Sequence, residues 1–151
     1  MSVTIRCPED ADTRSVGRRL ASLLRPGDVV LLSGGLGAGK TVFASGIAEG
    51  LGVEDPVTSP SFILARRYRG LVPMVHADLY RVNSSGEVDD LDLTAEAADG
   101  VLVVEWGDVA ENRLGRDALL VGIAADDDGT RVITLTPHGS WAARPLGEVA
   151  S

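Results

Sequence analysis

One octapeptide constrains this chain more than any other feature. Residues Gly34-Gly35-Leu36-Gly37-Ala38-Gly39-Lys40-Thr41 match G-x-x-x-x-G-K-[ST] at every defined position. Before it, Asp28 to Ser33 carries Val29-Val30-Leu31-Leu32 and reads as a buried strand. After it, a helix is expected from about Lys40 to Leu51, closed by Gly52. A strand that enters and a helix that leaves is the setting in which such a loop binds phosphate. The glycines let the backbone wrap tightly, so successive N–H groups converge on anionic oxygens. The positive end of the helix adds to that field. On this reading Gly35, Leu36, Gly37, Ala38 and Gly39 form the cradle, Lys40 reaches the β- and γ-phosphates, and Thr41 offers its hydroxyl to Mg2+. With 18 glycines, a chance match is easier than usual. Against chance, Lys40 is the only lysine among 14 basic residues. A position that keeps a compact ammonium where every other base is a planar fork points to a specific need.

Composition narrows the rest. At 151 residues the length suits one domain, and 44% hydrophobic content allows a core without disulfide or metal staples. Cys7 stands alone, so no disulfide partner and no Cys-only zinc site is expected. A net charge of −8 argues against independent binding to nucleic acid or to an anionic membrane surface. No apolar run approaches the roughly 18 residues of a membrane-spanning helix, and Met1 to Asp10 lacks the apolar stretch of a signal peptide. The expected location is cytoplasmic.

Along the chain, Val3 and Ile5 alternate as in an edge strand. A helix is predicted from Glu9 to Leu24, with Val16, Leu20, Leu23 and Leu24 on one face. Phe62 to Tyr68 and Val72 to Asp78 read as strands joined near Gly70, although Pro73 interrupts the second. Ser84 to Asp99 reads as short acidic helix, and Val101 to Glu105 as another buried strand. Ala118 to Ala124 and Thr130 to Thr136 form a hairpin through Asp126-Asp127-Asp128-Gly129. The expected fold is α/β: a P-loop NTPase three-layer sandwich whose mixed sheet carries antiparallel additions and a C-terminal hairpin. Residues 1–136 are expected as a single P-loop ATPase domain and 137–151 as a mobile tail.

A phosphate loop also needs acids for metal and water. Asp78 and Glu105 each follow an apolar strand, and an acid at the carboxyl end of a buried parallel strand faces the ligand crevice. Both are candidate catalytic and metal-binding residues. The stronger strand favours Glu105. No N-K-x-D string exists, so guanine is not read in that way. Leu32-Ser33-Gly34-Gly35 resembles the transporter signature only superficially, because it overlaps the phosphate loop itself.

Three further strings are distinctive together: Thr58-Ser59-Pro60-Ser61-Phe62, His76-Ala77-Asp78-Leu79-Tyr80-Arg81 and Val104-Glu105-Trp106. With the phosphate loop, their order and spacing resemble the TsaE (YjeE) family over about Asp10 to Thr136. The resemblance implies an ATPase serving threonylcarbamoyladenosine modification at adenosine 37 of tRNA. It would work with TsaB and TsaD, resetting that complex between cycles, and would meet tRNA only through it. It implies ATP and Mg2+ as cofactors. Lys40 and Thr41 would hold phosphate and metal, Glu105 would be the metal ligand, and Asp78 a second acid on the metal or on the attacking water. Thr58 to Phe62 would be a switch segment whose hydroxyls, that of Ser61 among them, sense the γ-phosphate. Three departures stand out: Gly35 where the family often has an acid, Ser61 where it usually has Thr, and Leu91-Asp92 where it often has Leu-Gly.

Blander roles remain open for several residues. His76 reads equally as a satisfied core histidine. Tyr80 and Trp106 read as packing beside the nucleotide, as a partner surface or as core. Arg81 is either a partner of Asp78 or a surface residue. Arg66, Arg67 and Arg69 are the densest basic cluster, and a solvated strand face is their default. Two other functions compete: a small-molecule kinase, for which that cluster is the only lid candidate, and a non-catalytic module in which nucleotide orders a binding surface.

Overall fold

The computed structural model describes residues 2–35, 37–58, 65–79, 92–106 and 111–150, with the backbone alone at 112 and 113. Seven strands form one sheet: β1 (Val3–Cys7), β2 (Val29–Ser33), β3 (Ala65–Tyr68), β4 (Met74–Asp78), β5 (Val101–Glu105), β6 (Leu119–Ala125) and β7 (Arg131–Pro137). Their spatial order is β1-β7-β6-β2-β5-β4-β3. Strands β6, β2, β5 and β4 run parallel, whereas β1, β7 and β3 pair antiparallel with their neighbours. The mixed sheet, the edge position of β1 and the β6–β7 hairpin agree with the sequence reading. Pro73 falls just before β4, where its missing N–H costs no ladder bond.

Strand parity explains the layers. Val30 and Leu32 of β2, Met74 of β4, and Val101 and Val103 of β5 face one cluster; Val29, Leu31, Val75, Leu102 and Val104 face the other. A strand buried on both faces must be apolar at every position, which is why these runs are continuous. The first face is covered by α1 (Asp10–Ala21) and α2 (Lys40–Gly50), through Val16, Leu20, Phe43 and Ile47. The second is covered by the short helices α3 (Leu93–Glu96) and α4 (Glu111–Leu114) and the turn after α4, through Leu93, Leu114 and Ala118. The two helices of the first face touch backbone to backbone. A Cβ on Gly46 would lie 2.1 Å from the carbonyl oxygen of Arg14, so any side chain there would push α1 and α2 apart.

The packed structure continues past Thr136, where the sequence reading placed the end of the domain. Two 3-10 turns, Gly139–Ala143 and Leu146–Ala150, bring Trp141, Leu146 and Val149 into the first-face cluster. Arg144 fastens this segment. Its guanidinium donates to both oxygens of Asp28 at 2.6 and 2.8 Å and to Leu23 O, and it stacks 3.9 Å above the Trp141 ring. Both members of the ion pair are about nine-tenths buried, so removing either would strand a charge at a cost of roughly 3–5 kcal/mol. The exposed pair Arg14–Glu49 contributes at most about 1 kcal/mol. Short 3-10 turns carry no helical or strand period, which is why the apolar residues of this segment gave no sequence signal.

Candidate functional site

Register brings the site together. Leu32 of β2 pairs with Glu105 of β5, and Glu105 pairs with Asp78 of β4. Residues directly paired in a sheet share a face, so both acids emerge on the α2 side at the carboxyl ends of adjacent parallel strands. His76, two residues before Asp78, lies on that face too. The phosphate loop leaves β2 beside them. At its entry, Gly34 adopts φ +148°, and a Cβ there would sit 2.3 Å from the Ile123 carbonyl oxygen; only glycine fits. Helix α2 then begins at Lys40, with the Phe43 N–H bonded to Gly39 O at 2.9 Å.

The side chains converge closely. Thr41 Oγ1 donates toward the Glu105 carboxylate, 3.1 Å from Oε1 and 3.0 Å from Oε2. His76 Nε2 donates to Glu105 Oε2 at 2.5 Å. His76 is fully buried, and its Nδ1 finds no hydrogen-bond partner among the described residues. Glu105 is thus held from two sides, by a hydroxyl on α2 and an imidazole on β4. Asp78 lies beside it, 4% exposed, with the Leu79 N–H bonded to Glu105 O at 3.0 Å. The sequence left His76 open between core and site; the structure places it, fully buried, against the Glu105 carboxylate.

Lys40 is 5% exposed, and its ammonium donates to Gly34 O and Gly35 O, both at 2.8 Å. It also lies 4.0 Å from the centre of the Trp106 ring. A buried ammonium needs such partners, since desolvation without them costs several kcal/mol. Trp106 reaches that position by adopting φ +60°, a left-handed conformation that costs a bulky residue about 1–2 kcal/mol. The strained residue stands directly after Glu105, the last residue of β5.

Of the other expected residues, Gly37, Ala38 and Gly39 lie in the loop as read. Leu36, Ser61, Tyr80 and Arg81 lie outside the described residues, as do positions 59–62 of the expected switch and 84–91, the first half of the expected acidic helix. Just ahead of that switch, the Thr58 N–H is 3.4 Å from the Tyr68 hydroxyl. Arg67 is committed to Asp99, at 3.0 and 2.6 Å, and to Glu96 O, on the outer strand β3. That commitment holds Asp99 below the usual carboxylate range and leaves Arg67 unsuited to a lid. Asp92 takes φ 50°, so the turn that glycine would make easily persists here with an aspartate, one of the residues that tolerate it best. The sequence gave no reason to single out Arg131, whose guanidinium contacts the loop from β7.

Strand, glycine-rich loop, helix, and acids at the ends of the next two parallel strands make this a P-loop α/β protein. The family described as threonylcarbamoyl adenosine biosynthesis protein TsaE matches residues 7–133. The chain is 45% identical over 148 residues to the tRNA threonylcarbamoyladenosine biosynthesis protein TsaE of Streptomyces coelicolor, covering 91% of this chain and 99% of that protein. It is 38% identical over 130 residues to the protein of the same name from Bacillus subtilis, covering 85% and 82%. The crystal structure of Bacillus subtilis YdiB superposes with a TM-score of 0.77 at 32% identity, covering 98% of this chain and 93% of that one. The chain belongs to the TsaE family. Among the described residues, no helix is long and apolar enough to cross a membrane.

Proposed function

We propose that this chain is a cytoplasmic ATPase of tRNA threonylcarbamoyladenosine biosynthesis, binding and hydrolysing Mg-ATP to cycle a TsaB–TsaD complex. One observation carries the nucleotide reading: the Thr41 hydroxyl faces both Glu105 oxygens, beside a glycine loop and a buried lysine. Family membership supports the pathway.

The donor set fits Mg2+. A hydroxyl and a carboxylate are hard oxygen ligands, and Mg2+ is commonly held by one or two carboxylates with nucleotide phosphates and waters completing the octahedron. Thr41 and Glu105 would hold it, and when bound it would neutralise charge developing on the transferred phosphoryl group. The chain's own residues do the rest. Loop amides and Lys40 bind and orient the phosphates. His76 fixes the Glu105 carboxylate. Asp78 accepts a hydrogen bond from the attacking water and aligns it. Trp106 excludes solvent from Lys40. Ser61 would complete the γ-phosphate contacts, and tRNA would be met only through the complex.

The test is Mg-ATP hydrolysis by this protein, alone and with TsaB–TsaD, with Lys40→Ala as control. The expected result is slow turnover alone, stimulation by the pair, and loss of about 100-fold or more in the variant. Turnover indifferent to TsaB–TsaD would discard the pathway assignment and keep the site. ATP that binds but never becomes ADP, with or without the pair, would discard the enzyme.

A further inference from the structure

Arg131 opens β7, at the end of the hairpin nearest the phosphate loop. Its Nε donates to Ala38 O at 2.8 Å, its Nη2 to Gly37 O at 2.9 Å and its Nη1 to Gly129 O at 2.8 Å. One guanidinium therefore joins the hairpin turn to two successive peptide groups of the loop, more than ninety positions away in sequence.

The direction of those bonds matters. In a trans peptide the C=O and the following N–H point opposite ways. Holding the Gly37 and Ala38 carbonyls outward on Arg131 turns the N–H groups of Ala38 and Gly39 inward. The Ala38 N–H already shows that direction, donating to Gly35 O across the loop at 3.2 Å. The loop has much freedom to lose: Gly37 adopts φ +73° and Gly39 φ +108°, a region glycine enters and leaves cheaply. An outside brace removes that freedom before any anion arrives, so the ligand does not meet the ordering cost. A planar fork can serve adjacent carbonyls at once; an ammonium on a flexible stem cannot hold the same geometry. The guanidinium also places a positive charge behind the cradle, which favours an anion within it.

We propose that Arg131 is a positioning residue that presets the Ala38 and Gly39 amides for phosphate, making the β6–β7 hairpin part of the nucleotide site. The proposal rests on the nucleotide reading above. It is tested by calorimetric titration of ADP, without Mg2+, into the wild-type chain, R131Q, R131K and K40A. In parallel, the Gly39 amide is followed in 1H–15N spectra. R131Q is expected to bind ADP about tenfold more weakly, and the Gly39 amide to move less on ADP addition. R131K restores the charge but not the affinity. A purely structural role would lower thermal stability while leaving the folded protein's ADP affinity and the Gly39 response intact, and that result overturns the proposal. ADP affinity in R131Q within about twofold of wild type overturns it as well; should R131Q fail to fold, R131K decides by the same criterion. A wild-type chain that binds no ADP overturns the nucleotide reading and this proposal together. Wild-type binding that K40A abolishes and both Arg131 variants retain overturns the brace alone.

Discussion

Strands β4, β5 and β2 lie on one side of the sheet and β6, β7 and β1 on the other, and they serve the molecule differently. The first three run parallel, and their carboxyl ends present Asp78, Glu105 and the glycine loop side by side. A parallel sheet aligns strand ends by construction, so three short segments far apart in sequence deliver their polar residues to one crevice. The other side is an antiparallel wing. It buries Val121, Ile123, Ile133 and Leu135, and the C-terminal turns close over the same cluster. Its direct contribution at the crevice is the underside of the loop, through the Ile123 carbonyl beneath Gly34 and the Arg131 fork. The candidate site's acids thus lie in one half and the antiparallel packing in the other, with the glycine loop touching both.

That division can be broken by experiment. Trp141→Ala removes the largest fully buried side chain, from the supporting half. It should cost about 3–5 kcal/mol in chemical denaturation while the remaining folded protein binds ADP normally. A parallel fall in affinity would show that the halves are not separable. His76→Ala acts in the other half. It frees Glu105 on one side, so the strengthening of ADP binding by Mg2+ should shrink about tenfold with Mg-free affinity unchanged. If both affinities fall together, His76 supports the fold rather than the carboxylate.

Asp117 gives a smaller, pH-dependent effect. The hydroxyl of Ser140, at 2.6 Å, and its backbone N–H, at 2.7 Å, donate to this carboxylate and hold it below the usual range. A lowered folded-state value means that the stabilisation is present above the ordinary carboxylate value, about 4, and is lost as pH falls through the folded one. Wild type should exceed Asp117→Asn by no more than about 1 kcal/mol at neutral pH, and the gap should close in acid. A gap that persists in acid would assign the effect to packing. Smallest is Asp92→Gly, which relieves a left-handed aspartate but gives up chain entropy. The net expectation is a gain of about 0.5 kcal/mol, read as a higher denaturation midpoint. A loss would mean that chain entropy and the Asp92 carboxylate together outweigh the cost of its backbone conformation.

What the sequence disclosed follows the same division. Lys40, Thr41, Asp78 and Glu105 could be named as candidates because each lies in or directly after a strongly patterned segment, and the proposed chemistry requires those residue types. The continuous apolar runs of β2 and β5 announced burial on two faces. Arg131 was illegible for the opposite reason: it is one arginine among thirteen, and its loop contacts depend on how a distant hairpin lands. His76 was half-legible. Its place in the strand was clear, but that its Nε2 meets Glu105 depends on the β4–β5 register, which spacing alone does not state. Trp141, Leu146 and Val149 were missed because apolar residues in irregular turns have no period to detect.

The position of Lys40 over the Trp106 ring has an optical consequence. The chain holds two tryptophans. Trp141 is sealed in the core beneath Arg144, so its fluorescence is a constant background. Trp106 has the Lys40 ammonium 4.0 Å from its ring, and a phosphate that drew that ammonium away from Gly34 O and Gly35 O would change the charge beside the indole. Phosphate capture by Lys40 is therefore expected to change the emission of Trp106 and to leave that of Trp141 unchanged, and a nucleotide titration followed by fluorescence checks it. One indole would then report occupancy without a label, with the other as a reference in the same chain.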